Sequence, residues 1–317
     1  MPLRAKSSSV PVAAGTEARA KQTLQWYTHS YNRLMLYRLV VVCSSFVPRP
    51  IRFGFACILA AVFRRMMPQE YAATQRNIGQ ILPEADAAAV ERIARALFRN
   101  FACFFADLLS VNRRALPVQQ RYVHLVHGQE RLHAALTSRR GFVVATAHIG
   151  NWDLAGRLLS SYGRTVHVLM APEQEVAIQR LLREYRRFAN LRFVSNEDAG
   201  VFMHLLMALR RGEVVAFQAD RATGHRSDVA VTFFGAPVSF PSGPFTLAAA
   251  ARVPVLPCFC LMRPDRLYDI FVDEAIVVER GGEEVALQQM VRVLERYIAM
   301  APDQWFNFYN VWKTPAL

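Results

Sequence analysis

The chain has 317 residues, of which 53% are hydrophobic, and its formal net charge is +13. This composition excludes a disordered or collagen-like protein, and the length suffices for one large α/β domain or two modest ones. The positive charge is concentrated early, since residues 1–82 hold eleven Arg and Lys against two acids, a net +9. Such an excess favours an anionic partner, whether nucleic acid, a membrane surface or an acidic carrier protein.

The first residues are polar and basic. Residues 1–22 contain Ala, Ser, Lys and Arg without an apolar centre, so they do not have the pattern of a signal peptide. We predict a disordered basic tail over residues 1–22 and a protein that is not exported.

Two apolar runs follow the tail. Leu39–Val47 and Phe53–Phe63 are separated by two prolines and two arginines, whereas a membrane-spanning helix needs about 20 continuous apolar residues. We therefore expect helices that lie in or dip into a membrane surface, and a buried helical hairpin is the alternative. The arginines expected at the lipid headgroups are Arg33, Arg38, Arg49, Arg52, Arg64 and Arg65.

Further helices are predicted before residue 115. Glu70–Leu82 has apolar residues at helical spacing and stops before Pro83, and Pro83–Asp86 opens a second helix whose apolar residues repeat every three to four positions. Residues 23–114 are accordingly predicted to form a helical, membrane-associating region that packs against the rest of the chain.

Residues 115–317 alternate between strand and helix patterns. The predicted strands are Tyr122–Val126, Gly141–Ala147, Thr165–Met170, Leu191–Val194, Glu213–Gln218, Val229–Phe233, Val255–Leu261 and Tyr268–Val272. The predicted helices are Gln129–Ser138, Asn151–Ser160, Glu175–Phe188, Gly200–Arg211, Phe245–Arg252 and Glu284–Met300. This alternation predicts an α/β fold with a mainly parallel central sheet flanked by helices. Ligands of such folds bind at the carboxyl ends of the strands.

His148 lies where the buried strand GFVVATA ends and a helix is about to begin. A turn at Gly150 and an acid in the first helical turn, Asp153, would bring a carboxylate to the imidazole and leave its other nitrogen as a general base. Asn151 is placed to cap that helix, and we also predict that it contributes to substrate binding. On spacing alone, a histidine that caps a loop beside an ordinary N-terminal acid is the better interpretation.

The chain has no pattern typical of a metal, nucleotide or nucleic-acid site. The five cysteines are odd in number, lie in apolar runs and form no CxxC pair, so we interpret them as core residues. P-loop, GxGxxG and GxSxG motifs do not occur. We expect no metal and no resident cofactor, and nucleic-acid binding rests on charge alone.

Several blocks in order resemble a known family. The stretch GFVVATAHIGNWDLAG at residues 141–156 is similar to the first block of the glycerolipid acyltransferase superfamily, and within it to the lipid A biosynthesis (lauroyl/myristoyl) acyltransferases. FQADRATG at 217–224, VTFFGAPVSFPSG at 231–243, VPVLP at 253–257 and the tail PDQWF with Trp312-Lys313 match later blocks. The resemblance covers roughly residues 23–313.

The resemblance implies an H-x4-D acyltransferase, in which His148 is the general base and Asp153 orients it. It also implies that Asp220 and Arg221 shape the site, as a second carboxylate near the histidine or as a cation for phosphate. Phe233, Phe234 and Gly235 are expected to wall an acyl groove, although a plain core role is the alternative.

The same resemblance sets the expected substrates and location. The donor would be an acyl thioester of acyl-carrier protein or CoA, and the acceptor a hydroxyl of a lipid A precursor or another glycolipid, at the cytoplasmic face of a bacterial inner membrane. A lysophospholipid or a specialised polyene or aminolipid acceptor is the alternative. A non-catalytic module that binds membrane or carrier protein on the same fold is the rival from another class.

Overall fold

A computed structural model describes residues 47–170, 190–224 and 227–313 of the chain. Over these residues the protein is an α/β structure in which helices flank a mainly parallel central sheet, so this part of the predicted fold class is confirmed. Membrane association of the N-terminal segment stays a prediction. The N-terminal tail, most of Leu39–Val47 and the predicted helix Glu175–Phe188 lie outside the described residues. The division into a tail, a helical region and a core stays a prediction.

Among the residues that the structure describes, three long helices precede the sheet: α1 (Arg49–Met66), α2 (Pro68–Ile81) and α3 (Ala87–Leu108). Pro48 is the N-cap of α1 and Pro50 lies in its first turn. Proline is tolerated there because the first helical amides have no partner within the helix, so these two prolines start α1 instead of interrupting it. Asp86 caps α3 by accepting a hydrogen bond from the Ala89 amide at 2.6 Å.

The rest of the chain alternates between strands and helices, as predicted. The strands are β1 (Val123–His127), β2 (Phe142–Thr146), β3 (Val166–Met170), β4 (Leu191–Ser195), β5 (Val214–Gln218), β6 (Asp228–Phe233), β7 (Ala236–Pro241), β8 (Val255–Met262) and β9 (Tyr268–Val272). The helices are α4 (Leu116–Gln120), α5 (Gln129–Thr137), α6 (Trp152–Ser160), α7 (Val201–Arg210), α8 (Gly243–Ala251) and α9 (Glu283–Met300). Short 3₁₀ turns occur at Val111–Arg113, Pro302–Gln304 and Val311–Lys313.

The central sheet has seven strands in the order β1-β9-β8-β2-β5-β3-β4. Strands β8, β2, β5, β3 and β4 are mutually parallel, whereas β9 runs antiparallel to β8 and β1 runs parallel to β9. The amino ends of β1 and β9 therefore lie at the same edge of the sheet as the carboxyl ends of β2, β5 and β8.

A second, two-stranded sheet is formed by β6 and β7. The sequence predicted a strand ending at Phe233 and then a Gly-rich loop, but the chain turns after two residues and returns as β7. The turn residues Phe234 and Gly235 have φ of 46° and 74°. Two successive positive φ values are typical of the tight turn that suits twisted antiparallel strands, so the pair closes a β-hairpin.

Apolar side chains cover both faces of the central sheet. The helical region joins the sheet through the C-terminal segment, because Phe306 and Phe308 pack with Phe98 and Phe104 of α3. No helix among the described residues combines the length and hydrophobicity required to cross a bilayer.

Candidate active site

His148 is presented by an irregular extension of β2. Its carbonyl accepts from the Phe306 amide at 2.7 Å, and the Gly150 amide donates to the carbonyl of Gln304 at 3.0 Å. Gly150 has φ of 58°, and a Cβ at this position would lie 1.9 Å from the Cys260 carbonyl oxygen. The chain can therefore turn against β8 only with glycine at this position, and the turn fixes the backbone that carries the imidazole.

The partner of His148 is Asp220, and the sheet register places them together. Thr146 at the end of β2 pairs with Gln218 at the end of the adjacent parallel strand β5. His148 and Asp220 each follow two residues later, so they meet at the carboxyl edge of the sheet. His148 Nδ1 lies 2.8 Å from Asp220 Oδ1, and the His148 amide donates to the same carboxylate at 3.0 Å and 3.1 Å.

The Asp220 carboxylate is fully buried and surrounded by donors. Trp305 Nε1 donates to its Oδ2 at 2.9 Å and Asn307 Nδ2 at 3.0 Å. Burial by itself would raise the pKa of Asp220, but His148 and the Trp305 and Asn307 hydrogen bonds outweigh it and hold that pKa below its ordinary value. The acid is thus kept ionised to accept from the imidazole.

The other imidazole nitrogen of His148 faces away from the carboxylate. The His148 side chain is 18% exposed, whereas that of Asp220 is 0% exposed, and Nε2 makes no hydrogen bond to any residue that the structure describes. With the Nδ1 proton donated to Asp220, Nε2 carries the lone pair. Such an arrangement can take a proton from a hydroxyl group that approaches from solvent or from a bound lipid.

Asp153 does not contact His148, which corrects the predicted pairing. Its Oδ2 accepts from Arg157 Nε at 2.5 Å and from Asn112 Nδ2 at 2.9 Å, and both members of the Asp153–Arg157 ion pair are almost fully buried. Because α6 begins at Trp152, Asp153 shares a helix face with Arg157 four residues later, while His148 remains in the extension of β2. A catalytic role of Asp153 stays a prediction.

Asn151 caps α6, as its sequence position predicted. Its Oδ1 accepts from the Leu154 amide at 3.1 Å and from Asn112 Nδ2 at 3.0 Å. Asn112, in the 3₁₀ turn after α3, therefore donates hydrogen bonds to both Asn151 and Asp153. These buried hydrogen bonds fix the start of α6 next to His148.

Arg221 lies beside the dyad and faces the C-terminal segment. Its Nε donates to Asn307 Oδ1 at 2.8 Å, a second nitrogen donates to the Phe306 carbonyl at 2.7 Å, and the guanidinium lies 5.9 Å from the Tyr309 ring centroid. Burial lowers the pKa of Arg221 to about 9, against an opposing contribution from Tyr309. Through Asn307, Arg221 orients a donor to Asp220, and a role in binding substrate stays a prediction.

The predicted acyl-groove residues lie around the hairpin. Phe233 is fully buried and packs against Trp305 and stacks on Trp312, with ring centroids 5.6 Å and 5.4 Å away. Phe234 and Gly235 form the β6–β7 turn. Phe233 thus supports the tryptophan that donates to Asp220, and a groove for the acyl chain at these three residues stays a prediction.

Three residues of the site were not singled out in the sequence: Asn112, Arg157 and Asn307. Trp305 was noted only as part of the tail block PDQWF, and the structure buries it at 1% exposed. All four lie far from His148 in the chain or on the inner face of a helix, and no spacing rule connects them to it. Trp305 lies within the family-like tail block PDQWF and Asn307 directly follows that block, so the block was a signal for both residues.

Comparison with known proteins assigns a family to this fold and site. The model of the bacterial lipid A biosynthesis acyltransferase family matches residues 20–314, so the chain belongs to that family. It is 28% identical over 244 residues to phosphatidylinositol mannoside acyltransferase of Mycobacterium tuberculosis, covering 75% of this chain and 76% of that protein. The enzyme of the same name in Mycolicibacterium smegmatis is 26% identical over 246 residues, 75% of this chain and 78% of its own.

A second group of relatives consists of enzymes named for lipid A biosynthesis. The lipid A biosynthesis lauroyltransferase of Escherichia coli is 22% identical over 273 residues, which covers 84% of this chain and 87% of the relative. The family and these relatives support an acyltransferase involved in lipid biosynthesis, as the sequence blocks predicted.

Proposed function

We propose that this protein transfers a fatty acyl chain from a thioester, of acyl-carrier protein or of CoA, to a hydroxyl of a membrane lipid or glycolipid. The observation that carries the proposal is the His148–Asp220 pair at the carboxyl edge of the sheet, with Nε2 of the imidazole left available. Family membership supports the reaction class.

In the proposed reaction His148 is the general base. Nε2 takes the proton of the acceptor hydroxyl as its oxygen forms a bond to the thioester carbonyl carbon, and the carbon–sulfur bond breaks. The departing thiolate then takes the proton from the imidazolium, which restores the enzyme without a covalent acyl intermediate.

Asp220 is proposed to hold the imidazole in the required tautomer and to stabilise the imidazolium. Two donors from the C-terminal segment fix the carboxylate, so its oxygen points at Nδ1 before substrate binds. Such preorganisation contributes to catalysis because no groups have to rearrange during the reaction.

The surface of α1 supports a site at the membrane. One face of this helix exposes a continuous apolar stripe: Ile51, Phe55, Ile58, Leu59, Val62, Phe63 and Met66, each between 39% and 63% exposed. Arg64 and Arg65 lie at its C-terminal end. An apolar stripe bordered by arginines suits an anionic bilayer, into which the side chains insert while the guanidinium groups meet headgroups. We place the protein as a peripheral or monotopic enzyme at the cytoplasmic face of a bacterial inner membrane.

The names of the relatives support the proposed acceptor class. Their names specify a phosphatidylinositol mannoside and lipid A, and both groups of names support a glycolipid acceptor for this chain. A lysophospholipid or a specialised lipid would require the same chemistry at His148.

A direct test incubates the purified full chain with labelled acyl-carrier protein or acyl-CoA and detergent-solubilised lipid acceptors. We expect acyl transfer by the wild type and a loss of about 10²–10⁴-fold in the His148→Ala variant, because proton removal by a positioned base contributes that much. His133→Ala, at an exposed histidine of α5, is the matched control and should keep full activity. Near-normal turnover by His148→Ala would refute the general base, and a wild type that binds both substrates without transfer would favour a non-catalytic module.

A further inference from the structure

The C-terminal segment, residues 302–313, carries two donors that hold the Asp220 carboxylate. Trp305 Nε1 and Asn307 Nδ2 donate to its Oδ2 at 2.9 Å and 3.0 Å. Residues 306–310 of this segment belong to none of the helices and strands that the structure describes. Their backbone groups depend on other partners, and those partners decide where the two donors point.

Asn77 of α2 binds the backbone of this segment at three alternate residues. Its Nδ2 donates to the Asn307 carbonyl at 3.1 Å and to the Tyr309 carbonyl at 2.8 Å. Its Oδ1 accepts from the Val311 amide at 3.3 Å. Both Nδ2 hydrogens and the side-chain oxygen are therefore engaged, and one side chain fixes the path of the segment from residue 307 to residue 311.

The position of Asn77 in α2 is itself well defined. The residue lies one turn before the end of the helix and is 2% exposed. Ile81 of the same helix joins the core cluster that contains Trp305. A polar side chain buried to this degree needs hydrogen-bond partners, and the C-terminal segment supplies three of them.

Asn307 connects this anchor to the Asp220 carboxylate. Its carbonyl is bound by Asn77, and its amide donates to the Trp305 carbonyl at 2.9 Å. On the side chain, Oδ1 accepts from Arg221 Nε at 2.8 Å while Nδ2 donates to Asp220. Backbone and side chain are thus bound on all sides, which fixes the direction of the Nδ2 donor.

Loss of the Asn77 side chain would disturb this donor. The Asn307 carbonyl is in a buried environment, so without a partner on α2 it would remain unsatisfied or move to find another donor. Hydrogen bonds weaken steeply as their angle departs from linear, so a displaced Asn307 would hold Asp220 less firmly. The carboxylate would then orient the imidazole of His148 less well.

From these contacts we infer that Asn77 is a positioning residue, which fixes Asn307 so that its side-chain amide holds Asp220 against His148. The inference rests on the proposed function, because it assigns Asn77 a part in the same reaction. It also gives the helical region before the sheet a direct role in the active site, through α2. The contrasting interpretation is that Asn77 stabilises the fold alone.

The test compares kcat and KM for acyl transfer in variants of the full chain, each corrected for the folded fraction. We expect Asn77→Ala to lower kcat about tenfold, since a hydrogen bond to a charged group contributes about that much, and to leave KM within about twofold. Asn77→Ser keeps one hydroxyl donor and should show a smaller loss. It serves as the test if Asn77→Ala folds poorly.

A double-mutant cycle with Asn307→Ala separates positioning from stability. In protein that already lacks the Asn307 side chain, Asn77→Ala should lower kcat by less than about threefold. The same tenfold loss in both backgrounds would overturn the positioning role. Ile78→Ala, at the next residue of α2 and 1% exposed in the wild type, is the matched control: it should lower thermal stability and leave kcat of the folded protein unchanged.

A spectroscopic measurement makes the test independent of acyl transfer. The Nδ1 proton that His148 donates to Asp220 should give a downfield proton NMR resonance, identified by its absence in His148→Ala. We expect Asn77→Ala to shift or broaden this resonance and Ile78→Ala to leave it in place. A wild type that shows the resonance without transfer would refute the proposed function alone, whereas an unchanged resonance in Asn77→Ala would overturn the positioning role.

Discussion

The Asp220→Asn substitution tests the dyad most sharply, because every neighbour of the carboxylate is a donor. Oδ1 faces the amide and Nδ1 of His148, and Oδ2 faces Trp305 Nε1 and Asn307 Nδ2. The new amide nitrogen must therefore meet a donor on either side. The indole N–H of Trp305 cannot become an acceptor. The Asn307 side chain could accept from the new amide only if it rotated, which would break the hydrogen bond from Arg221 to its Oδ1.

The imidazole is the neighbour that can adapt. It can accept at Nδ1 if its proton moves to Nε2, and this tautomer cannot take a proton from an acceptor hydroxyl. We expect kcat for acyl transfer to fall by about 10³–10⁴-fold, or about 4–5.5 kcal/mol in the barrier, as for a histidine base held in the wrong tautomer. The assay is steady-state transfer from the labelled thioester, with circular dichroism to show that the variant is folded.

Asp153→Asn is the informative contrast. This substitution removes the charge that faces the buried Arg157, so it should lower the free energy of unfolding by roughly 3 kcal/mol or more, measured by denaturant titration. Its effect on kcat in the folded protein should be far smaller than that of Asp220→Asn. The dyad assignment is refuted if Asp220→Asn keeps kcat within tenfold of the wild type, or if Asp153→Asn loses as much kcat with unchanged stability.

Two further predictions concern acid stability and membrane binding. The ion pair with Arg211 lowers the pKa of Glu213 from 4.5 to about 2, so the stabilisation from this pair is present above pH 4.5 and is lost as the pH falls towards 2. Glu213→Gln should therefore lower the free energy of unfolding by about 1 kcal/mol at pH 7 and by almost nothing at pH 2. Denaturant titrations at the two pH values measure this difference. Replacing Phe55 and Leu59 of the α1 stripe by Ser should weaken sedimentation with anionic vesicles by about 30-fold, or about 2 kcal/mol, because two half-exposed apolar side chains no longer enter the bilayer.

Each of these predictions has its own control. A Glu213→Gln protein that loses as much stability at pH 2 as at pH 7 would show that the effect comes from packing and not from charge. For the vesicle experiment, Val285→Ser alters an apolar side chain of α9 that is 64% exposed and should leave partitioning unchanged. Equal partitioning of the α1 variant and the wild type would exclude the stripe as the membrane-binding surface.

The sequence was sufficient to predict the secondary-structure elements and the position of His148, the proposed base. Buried parallel strands are continuous apolar runs, and helices repeat every three to four residues, so local composition predicted nearly all elements of the sheet and its helices to within one or two residues. The hairpin return β7 was missed because Ala236–Pro241 contains two prolines, which are uncommon within a sheet. His148 was predicted correctly at the end of β2, since a polar residue directly after a buried strand marks the edge where ligands bind.

The partner of His148 was decided by tertiary structure. Asp153 is five residues from the histidine, and that proximity suggested a pair, but the start of α6 directs its carboxylate to Arg157. Asp220 is 72 residues away and becomes adjacent only because β5 pairs with β2 in parallel with Thr146 opposite Gln218. The sequence by itself therefore indicated a candidate base and, through the family resemblance, a second carboxylate near it. Which acid contacts the imidazole depends on strand order and register, which are set by long-range packing and not by any local pattern.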